Sequence, residues 1–599
     1  MKIEKNYDIA VVGLGTAGAQ ALITAAANGL KVIGIEKLSV MGGTNTAGGV
    51  SHYYYGATGG AYEELDTARD ELRDKICPGC TASRTDIGAY VLEKEVQRLG
   101  ADLMLESVVT KVHKDGNKVV GITCFDGERE HTFATKVVID GTGDANICRM
   151  AGCQLQGGRD SDGKMQTFAN LLMVRSEDNV YAINKDAGYV VQNDSKDLAE
   201  KIISSTALAL KITEGLRDKV PFVAHAALLG CREGDRIVGE EDVTFESAAS
   251  GDETDKPVFY AFSNLDSHSK DTAFEGRSIK DWYIAAGLWG VAIRTAIPMG
   301  ALIPKGIDGL LAAGRCISLD HDIAACVRMM RDMKKCGEAA GTIAAMAAQS
   351  NIGVRDVDYT ALAECLTKSG CLNKNVPHFA SRVKVMNESK EFCWLTDFDE
   401  ITQELGTDSP GRAMWSARII GGDIAESLKT ALVSDNENLR KHSAFALALI
   451  GDKAALPVLR ETLTERDTMI PKSSIKFTYA RGATAAYLLG RLCDVDSVEL
   501  LLDVVRDEGA FDEKAFVEDE FHTGPSDMRF MFIQNAIASL IEIAKACPDK
   551  EKYILNEIRQ KLDSGFDIKI GLKANTFIEF SMTDILKRQL ESITSREDM

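Results

Sequence analysis

Proline is scarce in this chain, 11 residues in 599, which leaves little room for long disordered linkers. Positive charge is in short supply too: 69 lysines and arginines stand against 89 aspartates and glutamates, a net charge of -20. No basic patch offsets that deficit, which argues against a nucleic-acid partner. The acidity says nothing about a substrate. The 14 cysteines lack the regular spacing of a disulfide framework, and no signal peptide is read before them. They are therefore expected as reduced thiols in a cytoplasmic protein. Charge is also missing locally, since no charged residue stands between Ile9 and Leu30. Such a run is long enough for a membrane or signal segment. Its glycines and threonines speak against that, and no membrane insertion is expected.

The same run holds Gly13-Leu14-Gly15-Thr16-Ala17-Gly18. The apolar stretch Tyr7–Val12 leads into it, small residues from Ala19 to Gly29 follow, and Lys31–Ile35 then ends on Glu36. Strand, glycine turn, helix, strand and acid in this order form a dinucleotide-binding fingerprint. Gly13 permits the tight turn, Gly15 lets backbone approach a pyrophosphate, and Gly18 lets helix pack on sheet. The N–H groups near Thr16 and Ala17 would face the phosphates. Glu36 would accept the ribose hydroxyls. No second fingerprint of this kind occurs in strand–helix context, so a dedicated nicotinamide domain is not expected.

Further along, Met41–Gly49 is glycine-rich, as for backbone running against something flat or charged. Thr85–Gly100 has helical spacing, Leu103–Val112 and Val119–Phe125 read as a hairpin, and Lys136–Asp140 as a strand entering Gly141-Thr142-Gly143-Asp144. Residues 154–298 are less periodic and read as an inserted domain. Gly309–Arg315 returns as a strand, followed by a small-residue helix. From about Ser409 the pattern is purely helical. Leu439–Leu459, Ala480–Leu501 and Phe532–Ile543 repeat at about forty residues, the period of a HEAT-like solenoid or an ordinary helical bundle.

Several of these segments together resemble one group. They are the glycine turn, Glu36-Lys37, Gly42-Gly43-Thr44, Val138–Ala145, Cys231–Gly239 and Leu310–Ser318, the last running on through His321 and Arg328 to Gly337–Gly341. The chain resembles bacterial FAD-dependent oxidoreductases of the glutathione-reductase-like flavoprotein class over roughly residues 1–350. The implied fold is α/β: a Rossmann-like FAD-binding domain (1–153 and 299–352) with an inserted α+β substrate domain (154–298). A connecting segment (353–408) and an all-α HEAT-like solenoid (409–599) follow. Within the resemblance, the Gly-Gly-Thr turn and the Gly314-Arg315 strand favour FAD over NAD. The implied cofactor residues are Gly13, Gly15, Thr16, Ala17 and Gly18 at the pyrophosphate, Glu36 at the ribose, and Lys37 next to it in sequence. Gly42, Gly43 and Thr44 pass near the flavin or its ribityl chain. Val109 meets the adenine through its backbone, and Gly141, Thr142 and Gly143 close over the adenosine half. Gly314, Arg315 and a helix start near Ala340 and Gly341 approach the ribityl chain and the pyrimidine edge.

Flavin chemistry needs a proton partner and a cation for the substrate. The candidates are His52, His268, His321 and Arg328, each of which also reads as an ordinary surface or core residue. Arg232 and Arg236 either clamp an anion or form internal ion pairs. Tyr53-Tyr54-Tyr55 either lines a pocket or packs. Cys77 and Cys80 form an isolated CxxC, half a zinc site at most, and read as reduced loop thiols; no metal is expected.

The expected function is dehydrogenation of a small polar metabolite by hydride transfer to flavin N5, with an unidentified electron acceptor or donor. The alternatives are reduction of an activated C=C bond, or a flavin-containing sensor or assembly protein. The helical repeats offer a surface for a protein partner or self-association.

Overall fold

The structure, a computed structural model, describes residues 3–79, 85–175, 180–191, 194–212, 222–226, 228–384, 388–473, 478–507, 525–571 and 579–597. Cys80 lies outside them. The chain divides into two compact units. One comprises 1–158, 165–267 and 293–378, the other 159–164, 268–292 and 379–599.

The first unit is built on a seven-stranded sheet: β1 (Lys5–Val12), β2 (Val32–Ile35), β3 (Asp102–Met104), β4 (Val108–Asp115), β5 (Lys118–Phe125), β6 (Glu130–Asp140) and β7 (Leu310–Ala312). The spatial order is β3-β2-β1-β6-β5-β4, with β7 also on β6. β6 serves three partners. It runs parallel to β1 along its length, takes β5 antiparallel at Glu130–Ala134, and takes β7 parallel at Val138–Asp140. The central strands are apolar on both faces: Ile9, Ala10, Val11, Val138 and Ile139 are fully buried, as a strand covered from both sides requires.

The stretch read from sequence as one strand, Leu103–Val112, is two. Glu106 takes φ +52°, and the Glu106 and Ser107 N–H groups donate to the Leu38 and Glu36 carbonyls. β3 thus stays parallel to β2, while β4 turns away to pair with β5.

Helices α1 (Thr16–Ala27), α2 (Asn146–Ala151), α3 (His321–Val327) and α4 (Met330–Ser350) complete the frame. Small residues let α4 close on α1. A Cβ on Gly337 would lie 2.0 Å from the Ala17 carbonyl oxygen, and one on Gly341 2.7 Å from that of Ala21.

Residues 165–267 share this unit instead of standing apart as an inserted domain. Backbone bonds tie them to the return segment: Ile237 N–H donates to the Cys316 carbonyl at 3.0 Å and Glu240 N–H to that of Gly300 at 3.1 Å.

The second unit is mostly helical. Three helices, Glu437–Leu449, Arg481–Arg491 and Pro525–Ala546, start 44 residues apart and stack in one row; Leu456–Thr464, Val498–Arg506 and Pro548–Asp563 form a second row. The region is not all-α. Lys569–Gly571 pairs antiparallel with Glu579–Ser581, because Ile568 and Ile570 alternate onto one buried face. Contacts also draw the boundary elsewhere than 409. Residues 379–408 and 268–292 both belong here, since the buried Trp282 ring lies 4.8 Å from Trp415 and 5.8 Å from Trp394.

The fully buried Asp281 carboxylate holds this unit together. It accepts from Tyr487 Oη at 2.6 Å, Arg491 Nε at 2.8 Å and Arg418 Nε at 3.0 Å. Removing it strands two guanidiniums with little solvent. Asp281→Ala should cost about 3–5 kcal/mol. All four tryptophans (282, 289, 394 and 415) lie in this unit, so their fluorescence during urea unfolding reads it; an unchanged midpoint would remove Asp281 from this role.

Candidate functional site

The site begins where β1 ends. Gly13 takes φ +80°, and a Cβ there would lie 2.7 Å from the Thr142 backbone. A Cβ on Gly18 would lie 1.9 Å from the Gly13 oxygen, and one on Gly141 2.4 Å from it. Glycine is therefore required for the turn after β1 to touch both α1 and the turn after β6. Gly15 differs: a Cβ there would meet nothing within 4 Å, and the space it faces is a cavity of about 360 Å³.

That cavity gathers distant parts of the sequence. Gly13, Gly15, Thr16 and Ala17 line it, with Glu36, Lys37, Gly43, Thr44, Val109, Gly141, Thr142, Gly143, Gly314, Arg315 and Arg328. Gly18 and Gly42 lie behind the wall. Gly42 N–H donates to the Leu14 carbonyl at 2.7 Å, and its own carbonyl accepts from Thr16 Oγ1 at 3.3 Å.

Carboxylates order the wall. Buried Glu36 accepts from Leu14 N–H at 2.6 Å through Oε2 and from Leu38 N–H at 3.0 Å through Oε1. Each oxygen keeps a further lone pair for a ligand hydroxyl. Fully buried Asp140 accepts from Thr142 N–H and Oγ1 at 3.0 and 2.6 Å, and from the Ile147 and Cys148 N–H groups at 2.9 Å. It fixes the Gly141–Gly143 turn to the start of α2. Asp144 Oδ1 lies buried in the wall with no hydrogen-bond partner. The Arg315 guanidinium donates to the Cys231 carbonyl and forms no ion pair among the described residues.

Not every candidate reaches the cavity. Ala340 and Gly341 are not at a helix start. They sit midway along α4, which begins at Met330, and they are buried against α1. Their N–H groups are spent inside the helix, so no positive helix end arises there. His321 is turned to Glu233, its Nδ1 2.9 Å from Oε2, and does not line the cavity. Glu233 also accepts from Arg236 and from the Gly158 and Gln166 N–H groups. Burial acts to raise this carboxyl, but His321 and Arg236 outweigh it and hold it at about 2. Arg236 is thus an internal ion pair, as is Arg232 with Asp186. Arg328 reaches the cavity while bound to Asp266 Oδ2 at 2.7 Å and Gln166 Oε1 at 3.2 Å. His268 belongs to the second unit.

His52 is exposed, its Nδ1 2.8 Å from Ser51 Oγ. It lines a separate hollow of about 210 Å³ with Asn45, Tyr53, Arg69, Arg73 and Met330. Met330 also lines the larger cavity, so one residue borders both spaces. Arg331 lies over the Tyr53 ring at 4.4 Å, and Lys334 donates to Tyr53 Oη at 2.6 Å. The sequence reading missed Met330, Leu228 and Leu229 in the wall, and it quoted Asp140 and Cys231 within motifs without giving either a place at the site. No motif marks apolar residues of this kind.

A twisted sheet with a glycine turn, an acid closing β2 and a cavity over the strand ends defines a dinucleotide-binding enzyme. The sequence model of the FAD dependent oxidoreductase family matches residues 8–202 and 167–366, and the chain belongs to that family. Its cofactor is FAD. The site fits it. Gly15 leaves open space for a phosphate, Arg315 offers a cation without a carboxylate partner among the described residues, and Glu36 keeps acceptor capacity for ribose hydroxyls. No curated protein matches the chain. Among solved structures, a geranylgeranyl bacteriochlorophyll reductase-like protein from Thermoplasma acidophilum is 14% identical, with 76% of this chain and 96% of that chain covered and a TM-score of 0.34. The myxobacterial chondrochloren halogenase CndH is 11% identical, with 60% and 78% covered and a TM-score of 0.32. The p-nitrophenol 4-monooxygenase PnpA from Pseudomonas putida is 9% identical, with 61% and 81% covered and a TM-score of 0.31. No helix among the described residues is long and apolar enough to cross a membrane.

Two outcomes follow from these groups. Glu36→Ala should weaken FAD binding by about 1–3 kcal/mol, the cost of ribose hydroxyls left without an acceptor, with Glu36→Gln in between. Equal affinities in a flavin titration would place the ribose elsewhere. The second outcome concerns Asp332, fully buried on α4 and accepting from the Ala57 and Phe262 N–H groups. Burial raises its carboxyl to about 7. A folded-state value above the unfolded one means the folded protein holds the proton longer. This group's contribution is therefore full below about pH 4 and is lost as pH rises through 7. Asp332→Asn should flatten the stability–pH curve over that window; an unchanged slope contradicts it.

Proposed function

We propose that this enzyme is a dehydrogenase that oxidises a C–H bond beside oxygen or nitrogen in a small polar metabolite. The carrying observation is the hollow that shares Met330 with the cofactor cavity and holds an imidazole and two guanidiniums in its wall. Bound FAD supplies a two-electron acceptor for the hydride. His52, exposed and beside Ser51, takes the proton from the substrate O–H or N–H. Arg69, paired with Asp66 and Asp70, and Arg73, paired with Asp70 and Asp74, present remaining N–H donors to polar substituents. His321 is engaged by Glu233 and is left out of this assignment. Arg328 shapes the cavity wall through Asp266 and Gln166.

The finer class within the flavoproteins, glutathione-reductase-like, rests on the glycine turn, Glu36 and the Gly314-Arg315 return strand. The 44-residue recurrence of paired helices supports a HEAT-like reading of the second unit, with docking of a protein partner or self-association as its role. Scattered thiols without a disulfide framework support a cytoplasmic setting. A separate electron acceptor closes the cycle.

Anaerobic mixing of the FAD-loaded enzyme with panels of hydroxy acids, polyols and amines should bleach the flavin band with at least one class. His52→Ala should slow that bleaching by about 10²–10⁴-fold with flavin content unchanged. If nothing in the panels bleaches it, but dithionite-reduced enzyme is reoxidised by enoates, the enzyme is a C=C reductase instead.

A further inference from the structure

Helix α2 ends in a way that brings two thiols together. Gly152 takes φ +84° just past its last residue. Cys153 N–H donates to the Cys148 carbonyl at 2.9 Å and Gly152 N–H to that of Arg149 at 3.0 Å. This is the Schellman arrangement, in which the side chains at the two ends of the longer bond pack against each other. Here both are cysteines. With that bond made, standard covalent dimensions limit the Cα–Cα separation to about 6.8 Å, within the span of a disulfide.

The two thiols are not equivalent. Cys148 is fully buried, whereas Cys153 is half-buried. Lys114 Nζ donates to the Ala151 carbonyl at 2.6 Å and lies 3.7 Å from the position of a Cβ on Gly152. An ammonium therefore stands at the helix end beside Cys153. A hydrogen bond from the Cys148 thiol lowers the Cys153 thiol below its ordinary value, while burial raises Cys148. A reachable thiol that favours the thiolate, backed by a buried second thiol, is the arrangement of a peroxide-responsive pair.

We propose that Cys153 and Cys148 form such a pair, oxidised by hydrogen peroxide to an intrahelical-cap disulfide. The Cys153 thiolate attacks the O–O bond, giving a sulfenic acid and hydroxide, which takes up a proton. The Cys148 sulfur then attacks the sulfenic sulfur, and its proton leaves with the hydroxyl as water. The two thiols lose two hydrogens, and the peroxide ends as two waters. Cys148 N–H shares the Asp140 carboxylate with Thr142, so the pair sits on the element that shapes the cofactor cavity.

The test is limited peroxide treatment of the holoenzyme, followed by thiol alkylation and peptide mapping. A Cys148–Cys153 linked peptide is expected, with alkylation lost at those two positions and kept at Cys231 and Cys316. Cys148→Ala, which preserves an apolar core, should accumulate a dimedone adduct on Cys153. The proposal fails if the wild-type bridge involves Cys77 or Cys316, if no bridge forms in folded protein, or if the adduct in Cys148→Ala lands on another cysteine.

Discussion

Backbone lies directly on backbone where β1 and β6 end, and the rest of the first unit depends on that contact. Gly13, Gly18 and Gly141 meet with no room for a Cβ at any of the three. A few ångströms away Gly337 repeats the constraint, closing α4 onto α1. Close approach brings the α1 start and the Gly141–Gly143 turn to one cavity. The cavity is therefore a consequence of missing side chains, and the ligand fills what the chain leaves empty.

Buried carboxylates do the complementary work. Asp140 accepts four donors and couples the cavity wall to α2. Glu233 gathers Arg236, His321 and two N–H groups. Asp281 does the same in the second unit with two arginines and a tyrosine. Asp281 and Glu233 draw donors from distant sequence and so fix tertiary placement, whereas Asp140 draws on Thr142, Ile147 and Cys148 and fixes the local turn. This also accounts for how the histidines divide. His321 is consumed by such a hub, while His52 remains at an open hollow next to the cofactor cavity.

Much of the first unit was legible because its signals are local. The glycine spacing from Gly13 to Gly18, the acid at Glu36 and the strand entering Gly141 all act within a few residues of themselves, and all but Gly18 line one cavity. The helix pairs from Glu437 onward were legible for the same reason, through their apolar period. The break at Glu106 was not, because two N–H groups there are taken by the β2 loop. Ala340 and Gly341 were misplaced because small residues signal close packing without saying against what; the partner is α1. Met330 carries no motif at all.

The sequence by itself determined that a dinucleotide binds at the end of β1, and that the last third of the chain is largely helical. Both follow from periodicity and from glycines whose need is set by neighbours in the chain. Only the tertiary structure decided that residues 165–267 share the unit of the sheet and that 268–292 belong with the helices. It also decided that Arg232 and Arg236 are spent on internal carboxylates, and that the hollow holding His52 opens beside Met330. Those outcomes depend on which side chains satisfy one another across long separations, and no spacing along the chain encodes that pairing.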